Sequence, residues 1–238
     1  MKFFYLLIFF LSIFFTFLLI INLGGEFMKN FKRFTILFLL LFIYVLISAT
    51  AYTNAVCSNI SDSVFRLHVI ANSNSAEDQN LKYLVRDNVL EYMNTLTSNT
   101  NTKEKIKEIV TSNLEEFKQI AQATVYENGF DYEVSVEIGN FEFPTKIYGD
   151  VSFPAGLYDA LKIKIGNADG QNWWCVMFPP LCFIDVSSGI VPEDSKDVLE
   201  SELSEEEYSI ITGDENESKI KFKIVEVLQN FKINGIFM

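Results

Sequence analysis

Thirteen residues constrain this chain more than any others: Trp173 to Asp185, WWCVMFPPLCFID. At period two, Trp173, Cys175 and Met177 fall on one face and Trp174, Val176 and Phe178 on the other, so neither face is polar. A strand of this kind must be covered on both sides, which calls for a layered fold. Pro179 and Pro180 stop it, because proline donates nothing to a ladder. Cys175 and Cys182 flank the stop, close enough in sequence for a bridge if the chain folds back. A core strand with a rigid turn accounts for the segment, and an aromatic edge that meets a partner is the second reading.

The rest of the chain alternates between two periods. Val64 to Ala71, VFRLHVIA, is β-branched and alternating, with Phe65, Leu67 and Val69 on one face and Arg66, His68 and Ile70 on the other. Asn72-Ser73-Asn74-Ser75 ends it as a turn, and Ser75 is positioned as a helix N-cap with Asp78 three residues on. Leu81, Leu84, Val85, Asn88, Tyr92, Met93 and Leu96 then form a helical stripe, while Asp78, Lys82 and Arg86 line up in an order that favours ion pairs. Thr102 to Tyr126 reads as a second helix ended by Asn128-Gly129.

Period two returns for Tyr132–Ile138, Phe141–Ile147, Tyr158–Ile165 and the Trp173 strand, with Gly139-Asn140, Pro154-Ala155-Gly156 and Gly166 to Gly170 as turns. Pro144 marks an edge or a bulge. Pro192 to Ser218 is acidic and reads as a loop with a short helix or a flexible insert, and Lys219 to Phe231 as a closing helix. The class is therefore α+β: an N-terminal strand and two helices, an antiparallel sheet meander and a C-terminal helix.

The N-terminus carries two apolar runs. Met1 to Asn22 is long enough to span a bilayer, and Ile36 to Ile47, preceded by Lys29, Lys32 and Arg33 and followed by Ala49-Thr50-Ala51, has the pattern of a secretory signal cleaved near Tyr52. Gly24-Gly25-Glu26-Phe27 is encoded by codons that can contain GGAGG a few bases before the Met28 codon, which resembles a ribosome-binding site. The expected organisation is an upstream mis-start or extra apolar segment at 1–27, a signal peptide or membrane anchor at 28–55, and one extracytoplasmic domain at 56–238 with an acidic insert near 192–218.

Of 19 basic and 31 acidic residues, four basic (Lys2, Lys29, Lys32, Arg33) and one acidic (Glu26) precede Tyr52, leaving 15 against 30. Such a domain is poorly suited to nucleic acid or to an anionic lipid surface, since both require phosphates to be neutralised. Membrane contact is expected through the N-terminal segment if it stays uncleaved. Three cysteines in an exported chain point to one disulfide, Cys175 with Cys182, and a spare Cys57.

Signs of catalysis are few. His68 is the sole histidine, so a Ser-His or Cys-His nucleophile would have to use it with Ser73, Cys175 or Cys182, and no nucleophile elbow accompanies them. No phosphate loop, metal-ligand spacing or internal repeat is visible, so neither cofactor, metal nor small-molecule substrate is expected. The polar set from Arg66 to Asp87 is either a buried ion-pair and cap network or a recognition surface.

Four segments carry a resemblance: Arg66 to Tyr92, FPTKIYGD (Phe143–Asp150), FPAGLYDALKIKIG (Phe153–Gly166) and NWWCVMFPPLCFID (Asn172–Asp185). Together they resemble stage II sporulation protein R of endospore-forming Firmicutes, and the C-terminal KIKFKIVEVLQ is similar to the end of that family. The acidic stretch matches nothing there. The resemblance implies a protein made in the forespore, secreted into the space between the two septal membranes, that triggers a membrane-embedded aspartic-type protease to mature pro-sigma E. It implies an external domain of that protease as partner and supplies no catalytic residues. The residues expected at the contact surface are Arg66, Asn72, Ser73, Asp78, Arg86, Trp173, Trp174, Phe178 and Pro179. The competing readings are an extracytoplasmic hydrolase using His68 and a membrane-tethered structural module.

Overall fold

The computed structural model describes residues 28–97, 102–182 and 191–213. The chain divides into two units, Met1–Asn54 and Ala55–Met238.

Most of helix α1 (Met28–Asp62) lies in the first unit. It contains the 30-residue stretch Arg33–Asp62, whose most apolar window has a mean hydropathy of 2.5. At about 1.5 Å per residue such a stretch is about 45 Å long, more than the ~30 Å of a bilayer's hydrocarbon. Phe34, Leu37 and Tyr44 are exposed along it. Length and composition suit a signal or an anchor.

In the second unit the last turns of α1 bury Ile60 and pack Val56. A four-stranded sheet follows, built from β1 (Phe65–Ile70), β2 (Val134–Phe143), β5 (Gly156–Ile165) and β6 (Asn172–Phe178) in the order β2-β5-β1-β6. Strands β3 (Lys146–Tyr148) and β4 (Val151–Phe153) form a separate hairpin. Helices α2 (Ala76–Thr97), α3 (Lys103–Ser112) and α4 (Leu114–Glu127) cover one face of the sheet, face one. On it Phe65, Leu67, Val69, Leu161, Ile163, Cys175 and Met177 meet Leu81, Val85, Val89, Ile106, Val110, Phe117 and Ala121. Face two carries Tyr158, Ala160, Val176 and Phe143 against the β3–β4 hairpin, the end of α1, and helices α5 (Glu193–Glu202) and α6 (Glu205–Thr212).

The α+β class holds, and the strand order departs from a meander. β1 sits between β5 and β6, parallel to the first and antiparallel to the second. All six of its residues are buried, so it takes a central place rather than the edge that a chain-ordered meander would give it. Parallel pairing needs a long crossover, and the three helices supply one. Gly139-Asn140 is no turn either: β2 runs through it, because β5 offers ten consecutive partners from Ile165 to Gly156. β2 is an edge strand that stops at Phe143, immediately before Pro144.

The helix expected over Thr102–Tyr126 is two helices. Asn113 leaves helical geometry at φ −113°, and its side-chain amide donates to the Ile109 carbonyl at 2.8 Å, offering the backbone an alternative to the next turn. The acidic stretch folds into α5 and α6, because Leu199, Leu203 and Ile211 supply buried contacts that composition alone understates. Ser204 and Glu207 form a capping box at the start of α6. The Lys219–Phe231 helix and the Met1–Asn22 run lie outside the described residues.

Candidate partner-binding site

At the junction of β1 and α2, short polar residues replace apolar ones and turn the chain. The Asn72 side chain bridges two segments: its amide donates to Asp78 Oδ2 at 2.8 Å, and its Oδ1 accepts from the Asn167 backbone N–H at 2.9 Å. Ser75 Oγ accepts from the Asp78 N–H at 3.1 Å, the expected N-cap bond, and Ser73 Oγ accepts from Ser75 N–H. Gln79 Nε2 donates to the Ser73 carbonyl at 2.8 Å. The strand end also ties down the loop before β6, with Asp169 N–H donating to Asn72 O and Gly170 N–H to Ala71 O. A side chain at Gly170 would collide with the Ser73 backbone, so the two segments touch only because that residue is glycine.

Asp78 is buried in this junction. Burial works against its charge, yet donors from Ser73, Asn72 and Tyr132 outweigh that and hold its carboxyl below the usual range. The ion pair suggested by the Asp78–Lys82 spacing is replaced by these bonds. Lys82 is itself buried and donates to Gln79 Oε1 at 2.6 Å and the Gln171 carbonyl at 3.3 Å. Desolvation and neighbouring Arg86 push its pKa down.

One helical turn further along, a cation meets aromatic rings at the surface. The β1–β6 register sets Trp173 beside Val69 on face one. The Arg86 guanidinium lies 4.3 Å from the Trp173 ring and 5.0 Å from the Tyr83 ring, and the two rings meet edge to face at 5.5 Å. Asp87 holds Arg86 from the outer side at 2.6 Å. Tyr83 is 37% exposed. A guanidinium stacked this way keeps its donors oriented, and exposed rings supply apolar area at little entropic cost.

Across the sheet, His68 stacks on Trp174 with ring centroids 3.6 Å apart, and its Nε2 is 2.7 Å from Asn172 Oδ1. Burial, with Lys162, Lys164 and Arg66 adding to it, pushes His68 down to about 4 despite the Asn172 bond. Among the described residues its Nδ1 has no hydrogen-bond partner. Cys175 and Cys182 are joined in a disulfide with Cα atoms 5.2 Å apart, so neither is a thiolate that His68 could activate. The turn that brings them together has a cis Phe178–Pro179 bond, and Leu181 N–H donates to the Val176 carbonyl.

A sequence model of the stage II sporulation protein R family matches residues 61–188, from the end of α1 through β1 to β6. The chain belongs to that family. Stage II sporulation protein R of Bacillus subtilis (strain 168) is 38% identical to it over 182 residues, covering 70% of this chain and 80% of the relative. No solved structure matches. The family name assigns a place in sporulation and describes no enzyme. Helices α5 and α6 lie beyond the matched segment of the sporulation protein R family, in the stretch where no family motif was visible.

The nine expected contact residues do not share one surface. Asn72 and Ser73 are partly exposed at the junction, and Arg86 and Trp173 form the cation–aromatic pair nearby. Trp174 is half-buried on face two over His68. Arg66, Asp78, Phe178 and Pro179 are buried. Phe178 turns to face one because the register slips between Phe65 and Arg66, which puts it opposite Phe65. Sequence reasoning missed Tyr83, Tyr148 and Asn172. Tyr83 lies one residue off the apolar stripe of α2 and at i−3 from Arg86, a spacing that does signal a surface pair. Tyr148 and Asn172 gain their importance through contacts of long sequence separation, which no local pattern marks.

Proposed function

We propose that this chain is an exported signalling ligand of endospore formation: it leaves the forespore, works between the two septal membranes, and activates the membrane-embedded protease that matures pro-sigma E. The observation that carries the reading is the Cys175–Cys182 disulfide in a sporulation-family domain that follows a helix fit for export. Structural disulfides persist in oxidising compartments outside the cytosol. The protein acts by binding and not by bond cleavage, since its single histidine is engaged by Asn172 and Trp174 and two of its three cysteines are bonded to each other.

Activation by binding requires the ligand to prefer the active arrangement of the protease's external domain, because equal affinity for both arrangements shifts no population. The surface that meets it is the α2 face with Asn72, Ser73, Arg86 and Trp173. Full-length protein mixed with the protease in lipid vesicles and with pro-sigma E is expected to yield the shortened sigma factor, and no processing above the protease alone sinks the reading. His68→Ala in the same assay separates ligand from hydrolase: a folded variant with near-normal processing excludes catalysis by His68.

A further inference from the structure

Arg66 is fully buried on face two, beside Val176 and Ala160 in the sheet. Its Nη2 donates to the Tyr148 hydroxyl at 2.7 Å, while among the described residues Nε and Nη1 have no hydrogen-bond partner. Among the described residues no carboxylate pairs with it. Four rings surround the guanidinium instead, with centroids at 4.2 Å (Phe143), 4.7 Å (Tyr158) and 5.9 Å (Tyr148 and Phe153). Ring faces attract the charge but satisfy none of the free N–H groups, and a guanidinium cannot shed its proton to escape. Packing alone does not call for this residue, since a buried charge without an ion-pair partner carries a desolvation cost that an apolar side chain would not.

Tyr148 holds this arrangement closed. It is half-buried, accepts from Arg66, and donates to the Trp174 carbonyl at 3.0 Å. It stands on β3, in the hairpin whose strands pair with each other and not with the main sheet. A rotation of this one side chain breaks both bonds and releases Nη2, the one guanidinium nitrogen that has a partner among the described residues. The same face carries Lys162 and Lys164, with Glu137 against them at 3.8 and 2.7 Å, so two lysines face one carboxylate on a chain that is acidic as a whole.

We propose that Arg66 is the hydrogen-bond donor of a concealed carboxylate-binding site, gated by Tyr148, that takes one carboxylate from a polypeptide partner. A single guanidinium among aromatic walls balances one negative charge and offers paired N–H donors to a planar acid, whereas a phosphate dianion would remain half-neutralised. That a polypeptide supplies the acid rests on the signalling reading; the carboxylate-binding chemistry of Arg66 does not.

The test uses the full chain in mild detergent and short acetylated peptides, with no protease present, so its failure and that of the signalling reading are separate results. One pentapeptide has a central glutamate and an amidated end, a second has glutamine and a free C-terminus, and a third has glutamine and an amidated end. Saturable binding of the first marks a side-chain carboxylate, binding of the second a chain terminus, and the third is expected not to bind. Arg66→Met is expected to melt at the wild-type temperature or above and to bind at least tenfold more weakly. Tyr148→Phe, which cannot donate to the Trp174 carbonyl, is expected to bind several-fold more tightly. Equal binding by Arg66→Met, binding of neither acidic peptide, or a fall in the Arg66→Met melting temperature beyond about 5 °C, the scale of a lost structural contact, overturns the proposal.

Discussion

The two faces of the sheet solve the same burial problem with different chemistry. Face one is covered by α2, α3 and α4 through aliphatic and aromatic side chains, Phe117 and Leu67 among them at 0% exposure. Face two is just as well covered near its centre, but its buried set includes Arg66, His68 and the Tyr158 hydroxyl. Apolar contacts are non-directional and tolerant, so face one supplies cohesion. Buried polar groups demand partners at fixed geometry, and each unmet donor costs stability that the opposite face must offset. The difference teaches that the centre of face one is held mainly by tolerant apolar contacts, while the centre of face two also carries buried polar groups whose geometry is fixed by their partners.

The largest effect is expected where cohesion is concentrated. Phe117→Ala should cost about 3–5 kcal/mol in denaturant unfolding, the usual range for emptying a buried phenylalanine site. A loss below about 1 kcal/mol would mean that face one does not carry the fold. Replacing both Cys175 and Cys182 by alanine should cost about 2 kcal/mol, since the seven-residue separation closes a short loop. Because the bridge pins the turn after β6, hydrogen exchange at Val176 and Leu181 should rise with it.

Face two should answer more quietly. Tyr158→Phe removes the hydroxyl that donates to the Pro154 carbonyl at 2.6 Å and should cost about 1 kcal/mol. A neutral result would show that this hydroxyl is not part of the polar demand.

The smallest effect at neutral pH belongs to His68, and it grows in acid. Its folded-state value near 4 lies below the unfolded 6.5, so between them the unfolded chain takes a proton that the folded one refuses. Falling pH therefore favours unfolding through that window, and His68→Gln should flatten the decline in melting temperature from pH 6.5 to 4. Asp78, held below the ordinary carboxylate range, adds a loss of stability at lower pH that remains in the variant. An unchanged slope would mean that His68 is not the buried neutral group that face two contains.

Much of the candidate site was legible because its causes are local. Ser75 capping Asp78 and Asn72 reaching Asp78 span three and six residues, and turn chemistry marks both. The pairing of Arg86 with Trp173 was not, because the two meet only when β6 is laid beside β1. Nor could alternation say that Arg66 and His68 point into a covered face, since period two assigns sides without saying what covers them.

From the sequence alone came the α+β class, the β1, β5 and β6 strands, the Cys175–Cys182 bridge and the apolar N-terminal helix, all of which follow from side-chain period, turn residues and short loop closure. Tertiary structure decided that β1 lies between β5 and β6 and runs parallel to β5, that β2 passes unbroken through Gly139-Asn140, and that α5 and α6 condense from an acidic stretch. The reason is the same in each case: strand pairing and burial against distant elements are free energies of the whole chain, and no window of neighbouring residues contains them.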